Sequence, residues 1–308
     1  MVLTKKENET DGAAAKAKYD LELTDNVIAA TGSKAHPRLK EIMPSLIRHL
    51  HDFARDIDLT IAELAAGIEL INEAGRMSTD KRKETSILSD ILGLEPLVDN
   101  ITSKLPPDSS ESGVVTPSTA TGPYYRKDAP LLPNGSSIIK AAPDSFWYLQ
   151  VEKLLTHLSG RVLSASTGKP APGAIVDLWQ AAPNGKYELQ DPEQPDMNLR
   201  GRFQTDELGR YALYCVRPGS YKVTPDGPAS RLLELLDRHP YRPAHIHFMI
   251  TAPGFRTLTT QVFDRDDKYV KEDPVFAARD ELLASFEPCE GDGKAHWTVK
   301  YDFVLSEA

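Results

Sequence analysis

The spacing of apolar residues changes character once along this chain, and that change limits the folds open to it. Over residues 37–105 the period is helical. Ile42, Leu46, Ile47, Leu50, Phe53 and Ile57 fall on one stripe. Thr60 with Glu63 forms a capping box that opens a second helix, which carries Ile61, Leu64, Ala65, Ile68 and Ile71. A third helical run holds Ile87, Leu88, Ile91, Leu94, Leu97 and Val98, with Gly93 and Pro96 interrupting its regularity. Residues 106–113 form a polar, Pro/Ser-rich linker. Beyond it, Gly and Pro recur through 121–308, and the runs between them are short and β-like: 160–163, 174–179, 209–216 and 297–305. Close turn spacing with period-two runs predicts an antiparallel sandwich or barrel. The expected architecture is mainly β with an α-helical N-terminal domain and an antiparallel β-sandwich core. Its expected parts are a mobile polar N-terminus (1–20), a helical domain with linker (21–113) and a β-sandwich domain (114–308).

Charge and cysteine content exclude several classes. The 308 residues carry a net charge of −9, from 36 basic and 45 acidic side chains. No basic cluster stands out, so nucleic acid is not an expected partner. No apolar run reaches transmembrane length. Residues 1–11 are polar and lack the apolar core of a signal peptide, and two cysteines give no disulfide framework. A cytoplasmic location is expected.

The chemistry concentrates in Arg242-Pro243-Ala244-His245-Ile246-His247-Phe248. Residues 246–251 are rich in branched and aromatic side chains and read as a strand. Alternate strand residues share a face, so His245 and His247 present two imidazoles side by side, a metal-binding arrangement. His49 and His51 have the same spacing in a helical pattern, where ~100° per residue turns them apart. They read as surface and half-buried helix residues.

A metal site needs further donors. Asp237, Asp264, Asp266, Asp267 and the two cysteines are candidates. Tyr187, in Gly185-Lys186-Tyr187, and Tyr221, in Pro218-Gly219-Ser220-Tyr221, each follow a predicted strand. A phenol of pKa ~10 is a poor ligand for a divalent ion, whereas a trivalent ion stabilises the phenolate. Two phenolates with two imidazoles would suit ferric iron. Equally, the two tyrosines suit core positions with their hydroxyls satisfied at strand ends.

Several segments in order resemble the intradiol ring-cleavage dioxygenases of the catechol 1,2-dioxygenase type. They are Gly122-Pro123-Tyr124-Tyr125, Pro172-Gly173-Ala174, Asp177-Leu178-Trp179-Gln180, Gly185-Lys186-Tyr187, Pro218-Gly219-Ser220-Tyr221, the His245/His247 segment and Leu258-Thr259-Thr260-Gln261. The resemblance implies a non-haem Fe(III) cofactor on Tyr187, Tyr221, His245 and His247. It makes Tyr187 and His245 equatorial and Tyr221 and His247 axial, with Tyr221 leaving when substrate binds. It implies that Arg242 stabilises negative charge on the substrate ring and that Gln261 lines the pocket. Without the resemblance, Arg242 reads as a surface ion-pair residue and Gln261 as a strand-end amide. The implied reaction takes a small aromatic diol, bound as a dianion, and O2. It cleaves the ring between the two hydroxyl-bearing carbons. The resemblance also implies a homodimer through the N-terminal helices, with a lipid held between them.

The matching pocket positions are Leu88, Asp90, Ala120, Gly122, Pro123, Tyr124 and Val223. Asp90 is similar to an aspartate of the hydroxyquinol-cleaving branch and could accept a hydrogen bond from a third ring hydroxyl. It also fits a solvated or capping helix residue. Tyr124-Tyr125 departs from the usual Phe-rich pair, and Gln261 keeps the catechol-type residue. Hydroxyquinol is therefore the expected main substrate, with catechol as the alternative. Two other classes compete: a non-enzymatic β-sandwich binding module, and a divalent-metal hydrolase using His245, His247 and a carboxylate.

Overall fold

The computed structural model describes residues 22–79, 82–103, 114–140, 151–223 and 226–308. The expected mobile segment 1–20 and the linker 106–113 lie outside them. The chain divides into two compact units, Met1–Asn72 and Glu73–Ala308.

The first unit is helical. It holds α1 (Glu22–Ala29), α2 (Pro37–Asp56) and most of α3 (Ile61–Met77). Pro37 opens α2, where its missing N–H costs nothing, and the His36 side chain accepts the Arg38 N–H at 3.2 Å. The capping box is formed: Thr60 N–H donates to Glu63 Oε2 at 2.8 Å, and Glu63 N–H to Thr60 Oγ1 at 3.2 Å. Helix α1, for which the sequence offers little periodicity, is tied to α2 by Thr24 Oγ1, 3.0 Å from His51 Nδ1. His49 is exposed and His51 half-buried. The apolar stripe of α2 is uncovered in the single chain, with Leu50 55% and Phe53 53% exposed. No helix among the described residues is long and apolar enough to cross a membrane.

In the second unit the third helical run is two helices, α4 (Glu84–Ile91) and α5 (Leu94–Ser103). They part at Gly93, which adopts φ +71, a conformation that ends a helix and that glycine adopts at little cost. A further helix, α6 (Gly227–Leu235), packs on α4. The buried Glu84 carboxylate accepts the Ala229 N–H at 3.1 Å, satisfying an otherwise orphaned donor in the first turn of α6.

The strands are β1 (Leu131–Leu132), β2 (Leu155–Ser164), β3 (Ile175–Trp179), β4 (Arg200–Gln204), β5 (Arg210–Val216), β6 (Tyr221–Lys222), β7 (Tyr241–Arg242), β8 (His245–Thr251), β9 (Leu258–Asp264), β10 (Leu283–Ala284), β11 (Glu287–Pro288), β12 (Trp297–Lys300) and β13 (Phe303–Leu305). One sheet runs β1-β4-β3-β8-β9-β10. The other contains β11, β12, β2, β13 and β5, and β6 pairs with β7 separately. The inner faces meet in one core that includes Val176, Leu178, Phe203, Ile246, Phe248 and Val262 from the first sheet. Leu158, Val162, Leu213, Val299 and Phe303 come from the second.

The sandwich is mixed rather than purely antiparallel, which corrects the expected arrangement. The central pairs β4-β3-β8-β9 and β2-β5 are antiparallel, as turn-linked period-two runs suggest. The pairs β1-β4, β9-β10, β2-β12 and β2-β13 are parallel. These are made by segments distant in sequence from their partners, so no local turn announces their direction.

Candidate metal centre and its cleft

Strand parity places the chemistry on the face of the first sheet turned away from the sandwich core. In β8, Ile246, Phe248 and Ile250 join the core. His245 and His247 therefore point to the other face. Directly opposed residues form a row across four strands: Arg200, Trp179, His247 and Gln261. Trp179 stacks on the His247 ring, with centroids 5.0 Å apart and planes at 9°.

Two loops complete the cluster. Tyr187 follows the turn after β3, and its N–H is held by Gln190 Oε1 at 3.0 Å. Tyr221 opens β6. The hydroxyls of Tyr187 and Tyr221 are 3.1 Å apart, Tyr221 Oη is 3.2 Å from His245 Nε2, and His245 Nε2 is 3.2 Å from His247 Nε2. The two glycines of the sequence motifs make this approach possible. Gly185 has φ +79, and a Cβ there would lie 2.7 Å from Tyr221 Cβ; Gly122 has φ +72, and its Cβ would lie 3.1 Å from His247 Cε1.

These four donors are dry and uncharged on their own. His245 Nδ1 donates to the Pro243 carbonyl at 2.7 Å, which leaves a lone pair on Nε2. Burial, then the neighbouring Arg242 charge, pushes His245 down to about 3 and His247 well below the usual imidazole range, with His245 itself contributing to the latter. Burial raises both phenols, Tyr187 well above the usual value. Two neutral imidazoles and two phenols bring their donor atoms to one point, an arrangement that suits a cation. Donors ~2.1 Å from one centre sit roughly 3 Å apart at right angles, so the 3.1–3.2 Å separations suit a single ion.

Other predicted donors are elsewhere. Asp264 is paired with Arg217 at 2.7 Å, Asp237 and Asp266 are exposed, and Asp267 caps the Tyr269 N–H at 2.8 Å. Cys215 is buried in the sandwich core, and Cys289 is half-buried at the end of β11. Among the described residues no group of three His, Cys, Asp or Glu side chains could hold a metal. The hydrolase ligand set of two histidines and a carboxylate is therefore not formed among the described residues.

Beside the cluster lies a narrow cleft. Tyr221 and His247 line it, whereas Tyr187 and His245 do not. Arg242 and Gln261 also line it. Arg242 is 7% exposed; its Nη2 donates to Gln261 Oε1 at 2.7 Å and to Asp273 Oδ2 at 3.2 Å, and its Nε to Asp273 Oδ1 at 3.3 Å. It is a buried, oriented cation rather than a surface ion-pair residue. Burial would raise the Asp273 carboxyl, but Arg242 holds it below the usual range, and the Ala277 and Ala278 N–H groups donate to it. Gln261 in turn donates to the Ala120 carbonyl at 3.0 Å. Asp273 was not legible as a site residue: it lies in a loop outside the recognisable segments.

Asp90, Ala120, Gly122, Pro123, Tyr124 and Val223 all line the cleft. Leu88 does not, and Ile87 takes the place expected for it. Ile87 and Asp90 are three residues apart on α4 and share a face, whereas Leu88 is turned ~160° from Asp90. Burial, followed by the Glu95 carboxyl, raises Asp90 to about 8, and its Oδ1 is buried without a hydrogen-bond partner. Tyr124 stacks on Tyr187 at 4.7 Å and accepts a hydrogen bond from Gln190 at 2.7 Å. Sequence reasoning also missed Pro96, Thr119, Val275, Ala277 and Arg279 of the wall.

Comparison with known proteins decides the family. Residues 121–307 match the family described as Dioxygenase, and residues 36–109 match Catechol dioxygenase N terminus. The chain belongs to the intradiol ring-cleavage dioxygenase family. It is 39% identical over 290 residues to intradiol ring-cleavage dioxygenase prcA of Aspergillus niger, covering 94% of this chain and 89% of the relative. It is 39% identical to catechol 1,2-dioxygenase of Candida albicans, covering 92% and 91%. The crystal structure of hydroxyquinol 1,2-dioxygenase from Pseudomonas putida aligns with a TM-score of 0.81 at 34% identity, covering 93% and 98%. The protein is thus an intradiol dioxygenase, from a family that uses non-haem Fe(III). A non-enzymatic module is excluded by the same finding.

Gly185→Ala should push Tyr221 out of the cluster. Ring-cleavage activity is expected to fall by ~100-fold, the scale of an ångström-sized displacement, with the circular dichroism of the fold retained. Full activity in this variant would show that the 2.7 Å clash does not constrain the site.

Proposed function

We propose that this enzyme holds Fe(III) on Tyr187, Tyr221, His245 and His247 and cleaves hydroxyquinol (1,2,4-trihydroxybenzene), with catechol as a second substrate. The observation that carries the metal assignment is the convergence of two imidazole and two phenol donors, none more than 3.2 Å from its neighbour. Bound ferric iron would supply Lewis acidity and a route for electron density between an aromatic diolate and O2.

The side chains divide the remaining work. Tyr221 borders the cleft and is the less buried phenol, so it is the ligand that can leave and accept a substrate proton. Tyr187 and His245 lie behind it and stay as fixed ligands. His247, stacked on Trp179, cannot rotate freely. Arg242, oriented by Asp273 and Gln261, stabilises negative charge on the ring in a site that excludes most water. The product is the ring-opened hydroxymuconate, which tautomerises to maleylacetate; catechol would give cis,cis-muconate.

Asp90 favours hydroxyquinol. Its unpartnered Oδ1 lies in the cleft wall and can take a hydrogen bond from the third hydroxyl. Catechol would leave that oxygen unpaired. Oxygen uptake with each substrate tests this. In Asp90→Ala the ratio of kcat/KM for hydroxyquinol over catechol should fall by ~10-fold. An unchanged ratio would remove Asp90 from the specificity argument, a higher kcat/KM for catechol in the unsubstituted enzyme would make catechol the main substrate, and no ring cleavage of either would overturn the proposal.

The proposal extends to assembly and location. The uncovered apolar stripe of α2 supports a homodimer through the N-terminal helices, with a lipid between them as a further occupant. Sedimentation of the full chain as a monomer at micromolar concentration would remove this part. Two unpaired thiols, Cys215 and Cys289, support a cytoplasmic setting.

A further inference from the structure

Arg200, at the start of β4, is 1% exposed. It lies directly opposite Trp179, which lies directly opposite His247. Opposed residues share a sheet face, so this guanidinium projects on the side that carries the donor cluster. Its Nη2 meets Glu188 Oε2 at 2.7 Å, and the other Glu188 oxygen takes Arg126 Nη1 at 2.9 Å. Glu188 is the residue immediately after Tyr187. Arg200 Nε has no hydrogen-bond partner among the described residues, and its Nη2 and Glu188 Oε2, though 2.7 Å apart, are not aligned as a hydrogen bond, so their contact is one of charge.

Stability does not explain this arrangement. Burying two charges is costly, and well-packed apolar side chains in place of a buried ion pair are often at least as stable. An unpaired Nε adds to that cost. The pair is therefore expected to serve the site it adjoins. Glu188 is covalently next to Tyr187, so fixing its carboxylate fixes the backbone that aims the phenol. Arg200, incompletely neutralised in a dry interior, also projects positive charge towards the cluster.

We propose that the Arg200–Glu188 ion pair is a positioning element that sets both the aim and the donor strength of the Tyr187 phenolate. The proposal rests on Tyr187 being an iron ligand. Its support is geometric: Arg200, Trp179 and His247 share one face of the sheet, and Arg200 lies 2.7 Å from the carboxylate of the residue next to Tyr187.

The two partners have opposite signs, which makes the test a signed one. A positive charge near a phenolate stabilises its filled orbitals and widens the gap to the ferric ion. Arg200→Gln removes that charge and leaves the Glu188 anion unpaired. The tyrosinate-to-iron absorption band of the iron-loaded full chain should move to longer wavelength. Glu188→Gln leaves Arg200 unneutralised and should move the band to shorter wavelength. Arg200→Lys keeps the charge and should restore a position near that of the unsubstituted protein. Should Arg200→Gln fail to fold, Glu188→Gln and Arg200→Lys carry the test. Bands that stay put in Arg200→Gln or in Glu188→Gln, or that move in the same direction for both, would overturn the proposal and leave the pair a structural one. An unsubstituted, iron-supplied protein with no such band would instead overturn the ligand assignment, and this proposal with it.

Discussion

Four lone-pair donors forced together in a dry site are the constraint around which this molecule is organised. His245 Nε2 and His247 Nε2 face each other at 3.2 Å, and His245 cannot relieve the contact by switching tautomer, because its Nδ1 proton is committed to Pro243. Two phenol oxygens complete the cluster. Such a cluster needs a scaffold that holds it rigidly, and a shared cation would draw on all four donors at once. The β3-β8-β9 ladder supplies the rigidity. Trp179 packs on one imidazole, and Gly185 and Gly122 remove the Cβ atoms that would keep Tyr221 and the 122–124 segment at a distance.

The cleft follows from what surrounds that cluster. Sandwich strands provide the side with the donor cluster, while α4 and α5, joined at Gly93, supply Ile87, Asp90 and Pro96 to the opposite wall. Arg242 joins the two halves of the problem. It reaches His245 through Nη1 at 3.2 Å and is held by Asp273 and Gln261. A bidentate contact to a carboxylate fixes the plane of a guanidinium in a way that a point charge could not be fixed. The cation is therefore held in place by the protein alone, as the charge-stabilising role proposed for it requires.

Legibility in the sequence tracked how local each determinant was. The His245/His247 pair could be read because strand parity is a two-residue rule, and the contrast with His49/His51 holds because helix geometry is equally local. The two tyrosines were ambiguous from spacing, since no short-range rule brings residues 187 and 221 to one point; the fold places their hydroxyls 3.1 Å apart. Parallel pairing of β12 and β13 with β2 had no local signal. The substitution of Ile87 for Leu88 in the cleft was a one-residue register error on α4, where a single step turns a side chain by ~100°. Asp273 escaped notice because its partner, Arg242, lies 31 residues away and its loop carries no motif.

The central claim is that Tyr187 and Tyr221 share one metal ion with the two histidines. Metal analysis of the purified full-length protein, combined with resonance Raman spectroscopy under visible excitation, tests it most directly. The account predicts iron in equimolar amount with the chain and enhanced tyrosinate ring vibrations. A colourless protein that carries zinc, or iron without tyrosinate vibrations, would contradict it.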